Sequence, residues 1–129
     1  MTPDEAAAVV DDLGNAFAAG DVVAVIAKFA AEGEVTYAGS ERGEIAVGLP
    51  ALRLLLADLF SRDERYSWKC DSVHVTACAA GFAVLAEATL FVDPGQDSFP
   101  YRVSGLLEAS DGGWRWRVCQ GSEPAPPTI

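Results

Sequence analysis

Apolar residues recur at helical spacing in the first half of the chain and alternate with polar residues in the second. Ala6, Val9, Val10, Leu13 and Phe17 fall on one side of a first helix. Its start is marked by Thr2-Pro3-Asp4-Glu5, a capping threonine, a first-turn proline and a glutamate that can complete a capping box. Gly20 ends this helix, and Asp21 can cap the next. Val22, Val25, Ile26 and Phe29 line that shorter second helix, which stops before Gly33. Val35 and Tyr37 predict a strand over 34–40. A loop follows over 41–48, with a short strand at 44–47. Pro50 opens a third helix whose buried stripe is Leu52, Leu55, Leu56, Leu59 and Phe60.

After a charged link at 61–65 the period changes to two. Strands are predicted over 67–77, 81–93, 99–109 and 114–121. The turns between them are Ala79-Ala80-Gly81, Pro94-Gly95-Gln96 and Asp111-Gly112-Gly113. Short turns make each strand antiparallel to the one before. Helices first and a meander of strands afterwards predict an α+β fold: a curved, mainly antiparallel sheet with three N-terminal helices on one face. The expected organisation is one domain over 1–124, with a flexible proline-rich tail at 125–129.

Composition narrows the partners. Half of the 129 residues are apolar and 22% are charged, which fits a packed core and not a disordered chain. The formal charge is −10, so neither nucleic acid nor an anionic membrane is an expected partner. Cys70, Cys78 and Cys119 lack metal-ligand spacing, and an odd count suits reduced thiols better than a disulfide framework. The Thr-Pro-Asp-Glu start lacks the basic character of a signal peptide, so a cytoplasmic location is expected. No metal, cofactor, phosphate cradle or nucleophile elbow is predicted.

Strand pairing decides which side chains meet. Counting from the turns puts Glu87 opposite Ser104, Thr89 opposite Arg102, and Arg102 opposite Gln120. One face then collects His74, Glu87, Arg102, Ser104, Glu108 and Gln120, together with Trp68 and Trp116. The other carries Val73, Val75, Val84, Ala86, Ala88, Leu90, Val103 and Leu107. Either face could be the one the helices cover, and a one-residue bulge would exchange the two sets.

Several stretches carry a resemblance to a known superfamily. They are Ala19-Gly20-Asp21, Phe29, Val35-Thr36-Tyr37, the Gly48-x-x-Ala51-Leu52 spacing and the ending from Gly113-Trp114 to Ser122. In this order they resemble the cone-shaped, cystatin-like α+β superfamily of nuclear transport factor, ketosteroid isomerases and SnoaL-type polyketide cyclases. The ending is most similar to SnoaL-like proteins, whose last strands read Arg-x-(Ser/Thr), a Gly-Trp and His-x-Ser. Here these are Arg102, Ser104, Trp114, Gln120 and Ser122, with glutamine in place of histidine. Glutamine orients a ligand but does not exchange protons near neutral pH. Matched to the steroid isomerases, the donor tyrosine falls at Leu13, the base at Tyr37 and the protonated aspartate at Ser104. That mechanism is therefore not expected.

The resemblance implies a pocket beneath the helices, lined by the Arg102 face. Arg102 would anchor an anion or carbonyl, held by Glu87 in a bidentate pair. Ser104, Gln120, Ser122 and Trp68 would contact the ligand, and Glu87, His74 or Tyr37 would move protons if there is chemistry. Each has a plainer reading: a surface ion pair for Arg102 and Glu87, a packed or exposed strand histidine for His74, a core aromatic for Tyr37. The expected function is a SnoaL-like pocket protein for a small molecule, without assigned chemistry. The alternative is a cofactor-independent lyase or isomerase acting on a small apolar carbonyl compound. A homodimer is expected, because one sheet face would otherwise expose a large apolar patch.

Overall fold

The computed structural model describes residues 1–127; Thr128 and Ile129, the end of the tail expected to be flexible, lie outside the described residues. Helix α1 spans Pro3–Ala19. Its capping box is complete: Glu5 N donates to Thr2 Oγ1 at 3.1 Å, and Thr2 N donates to Glu5 Oε1 at 2.9 Å. Gly20 ends it with φ of 62°, a left-handed conformation that glycine adopts without steric cost. Asp21 caps α2, Val22–Ile26, by accepting from Ala24 N at 3.1 Å. Strands β1, Thr36–Ala38, and β2, Ile45–Val47, form a short hairpin before α3, Leu49–Phe60. The meander follows as β3, Arg65–Cys78, β4, Gly81–Asp93, β5, Asp97–Ser110, and β6, Gly113–Ser122.

The six strands run in the order β2-β1-β6-β5-β4-β3. All pairs are antiparallel except β1 with β6. That parallel pair is prepared before β1 begins. Ala30 N donates to Trp116 O and Trp116 N donates to Lys28 O, both at 2.9 Å, which lays the segment after α2 along β6. Arg117 then holds the same segment, its Nη1 donating to Glu32 O at 2.8 Å and Glu34 O at 2.9 Å. Its other nitrogens make a bidentate pair with Glu108, both bonds 2.8 Å long.

The helices cover one face of the sheet. A single inward row crosses all six strands: Ala46, Tyr37, Cys119, Gly105, Val84 and Val75. Above it pack Val10, Leu13 and Phe17 of α1 and Leu52 and Leu56 of α3, all essentially inaccessible to water. Each such side chain contributes roughly 1.5–3 kcal/mol through removal from water.

Two bulges set the inward pattern. Cys70 pairs with Ala88 and Ser72 with Glu87, which leaves Asp71 over. Tyr66, Trp68 and Cys70 therefore point inward before it, and Val73 and Val75 after it. In β6, Trp116 pairs with Leu107 and Val118 with Leu106, leaving Arg117 over. Trp116 and Cys119 are thus both buried while Val118 and Gln120 are exposed.

Helix α1 is fastened to the first bulge. Asp11 Oδ1 accepts from Cys70 N at 2.8 Å, and Trp68 Nε1 donates to Val10 O at 2.9 Å. Gly14 lets the two elements come this close, since a Cβ there would lie 2.5 Å from Trp68 O. Gly14→Ala is therefore expected to destabilise the protein by about 1–3 kcal/mol despite alanine's better helix propensity, read as a lower urea midpoint. The Arg117 bidentate bond holds the Glu108 carboxyl below the ordinary carboxylate range. A depressed folded value gives stability that is present above the unfolded value and lost as pH falls through the folded one. The urea stability gap between the native protein and Glu108→Gln should be open at neutral pH and close below about pH 4.

Candidate functional site

The inward aromatics of four elements meet at one end of the helix-covered face. Phe17 of α1 lies 4.8 Å from Trp68 of β3 and 5.9 Å from Tyr37 of β1, centroid to centroid. Trp68 stacks on Tyr101 of β5 at 5.8 Å. Between them is a hollow of about 70 Å³, well under the roughly 300–1,000 Å³ of drug-sized pockets. Leu59 and Leu90 complete the apolar wall. At the mouth stand Ser40, Glu41 and Glu44 of the β1–β2 loop, Arg62 beyond α3, Tyr66 and Glu123. That loop is closed on itself: Gly39 N donates to Glu44 O at 2.7 Å and Glu41 N to Glu44 Oε1 at 2.9 Å.

The chemistry of this end is that of neutral phenols. Burial pushes the Tyr37 hydroxyl well above the usual phenol range, with Tyr101, Cys119 and Glu44 adding to it. Burial raises Tyr101 too, and a hydrogen bond with Ser40 opposes the shift in part. Both hydroxyls are thus donors at any physiological pH. Gly121 makes room for the second, because a Cβ there would strike the Tyr101 hydroxyl. Among the described residues no histidine, carboxylate, lysine or arginine is buried. None of their His, Cys, Asp and Glu side chains is grouped to hold a metal ion.

The residues singled out from the sequence divide between the two faces. Tyr37 and Trp68 line the hollow. His74, Ser104 and Gln120 share one row of the open face, with Leu85 between His74 and Ser104. Glu87, Arg102 and Ser122 share the next. His74, Glu87, Arg102, Ser104 and Gln120 share a face as expected, joined by Ser122, but that face is the one without helices, so the expected lining by the Arg102 face is corrected. The cause is the pair of bulges, which moves Trp68 and Trp116 across to the covered face.

The register also differs from the expected one. Glu87 faces Arg102, Leu85 faces Ser104, Pro100 faces Thr89, and Arg102 faces Ser122. Arg102 Nε donates a single bond to Glu87 Oε1 at 3.0 Å, not a bidentate pair, and both side chains are about half exposed. This is the surface ion pair of the plainer reading, worth about 0–1 kcal/mol. Phe17, Tyr101 and Glu123 were missed. Phe17 and Tyr101 belonged to visible apolar patterns, whereas Glu123 lies just past the last strand, where alternation gives no signal.

Residues 6–126 match the family of SnoaL-like domains. The chain belongs to the SnoaL-like family. No curated protein matches it significantly in sequence. This SnoaL-like chain shares its fold with many solved structures. One is a candidate dehydratase of the NTF2-like family from Streptomyces avermitilis, at 13% identity and a TM-score of 0.78 over 95% of this chain and 96% of that one. Another is ActVI-ORFA from Streptomyces coelicolor, at 13% identity and a TM-score of 0.73 over 93% and 95%. A third is a candidate calcium/calmodulin-dependent protein kinase type II association domain from Thiobacillus denitrificans, at 18% identity and a TM-score of 0.70 over 92% and 94%.

Because burial disfavours the phenolate, Tyr37 and Tyr101 should stay protonated in the folded SnoaL-like domain past pH 10, where free phenols ionise. An ultraviolet titration is expected to show their ionisation only on denaturation.

Proposed function

We propose that this SnoaL-like domain binds a small organic molecule in the aromatic hollow, without chemistry of its own. The observation that carries this reading is an interior with two neutral phenol donors and, among the described residues, no buried base. Acid–base catalysis needs a proton acceptor within hydrogen-bond reach of the substrate. His74 and Glu87 stand on the opposite face, and the carboxylates near the hollow sit at its mouth. The second reading is a lyase or isomerase that polarises a carbonyl oxygen. It draws on the same two phenols, which resemble the donors of an oxyanion site. A mouth glutamate would then have to act as the base.

The proposed assembly is a homodimer through the open face. Leu85, Val118, Ile45 and Val47 there are each 40–68% exposed. Val47, Thr36, Val118, Leu106 and Ala83 form a row across five strands that is apolar apart from the Thr36 hydroxyl. A second copy laid on this row would remove it from water through a self-complementary patch. The three free thiols support a reducing, cytoplasmic setting.

A thermal-shift screen of small aromatic and alicyclic compounds tests the site. At least one compound is expected to raise Tm. The shift should vanish in Leu90→Trp, which fills the hollow, and persist in Arg102→Ala. Loss in Arg102→Ala alone would return the site to the open face. For the assembly, light scattering should give twice the chain mass, falling to one chain mass in Leu85→Arg.

A further inference from the structure

We propose that the ligand of this hollow is an organic cation, with an amine or quaternary ammonium head seated among Phe17, Tyr37, Trp68 and Tyr101. The proposal rests on the reading of the hollow as a small-molecule site and adds the charge of what it takes.

Three features of the hollow carry it. The first is the wall. Four aromatic side chains from four different elements surround about 70 Å³, each with a neighbouring ring 4.8–5.9 Å away. Ring faces are negative and attract cations, most strongly where water is excluded. Tyr37, only 5% exposed, lines the space, and no side-chain hydrogen bond is made to it among the described residues. The second is size: the space suits one compact head group, with the rest of the molecule emerging at the mouth.

The third is the charge of the rim. Glu41, Glu44 and Glu123 stand there against Arg62 alone. The Arg62 guanidinium is already 2.9 Å from Asp58 Oδ2, so its charge is met from outside the hollow. An anion would meet three carboxylates against one arginine that already pairs with Asp58. The overall charge of −10 also raises the local concentration of cations around the mouth.

Titration calorimetry on the full chain tests this with choline and its uncharged isostere, in which a tert-butyl group replaces trimethylammonium. Choline is expected to bind about tenfold more tightly, the order that aromatic faces and a carboxylate rim supply. Glu41→Gln combined with Glu123→Gln, both exposed positions, should weaken choline several-fold and leave the isostere unchanged. Equal or tighter binding of the isostere overturns the cation and leaves the hollow a small-molecule site. Binding of neither probe overturns the cation proposal, and the reading of the hollow then depends on the thermal-shift screen alone. Choline binding that survives Leu90→Trp places the cation elsewhere and also overturns the proposal.

Discussion

Trp68 reaches the interior because β3 carries one residue more than β4 can match. With Asp71 left over, the strand changes which side it shows to the helices. The cost of such a bulge is an unpaired backbone group, and here the Cys70 amide is taken by Asp11 of α1. The indole N–H of Trp68 bonds the same helix at Val10. Two hydrogen bonds and the glycine contact at Gly14 therefore fix α1 over the sheet. Phe17, three residues beyond Gly14 on that helix, completes the aromatic box from above. Had the strand continued in phase, Lys69 and Asp71 would face the core, where an unpaired charge is far more costly than any bulge.

The second bulge does comparable work at the other side of the sheet. It turns Trp116 inward against Phe29 and frees Arg117 to hold the backbone at Glu32 and Glu34. That hold precedes β1, whose Tyr37 forms another wall of the hollow. The site is thus a product of both irregularities. The bulge in β3 brings Trp68 to the hollow, while Tyr37 and Tyr101 reach it from the unbulged β1 and β5.

Element types were legible because each has a strong local cause. The capping box at Thr2, the left-handed Gly20 and the period-two run of β4 are examples. Boundaries were less so: Phe29, expected on the second helix, lies beyond α2 and bridges Trp116, and β1 is three residues long. Yet even the shared face of His74, Glu87, Arg102, Ser104 and Gln120 followed from alternation. What alternation could not reveal was the phase. A bulge adds a residue without any required residue type, and neither Asp71 nor Arg117 stands out in its strand. Once phase is lost, the inside and outside of a sheet exchange, and a plausible polar site moves to the surface with them. The parallel pairing of β1 with β6 was hidden for a related reason. It depends on backbone bonds at Lys28 and Ala30, which leave no trace in side-chain pattern.

An open sheet has two borders, and each presents unpaired backbone to whatever strand comes near. On one side the border is β2, only three residues long. On the other it is β3, fourteen residues long and therefore the more dangerous template. The leftover Asp71 breaks that template into two short pieces of different orientation, and Lys69 and Asp71 put opposite charges beside the break. The kink that builds the interior thus also keeps stray chains from extending the sheet and starting a fibril.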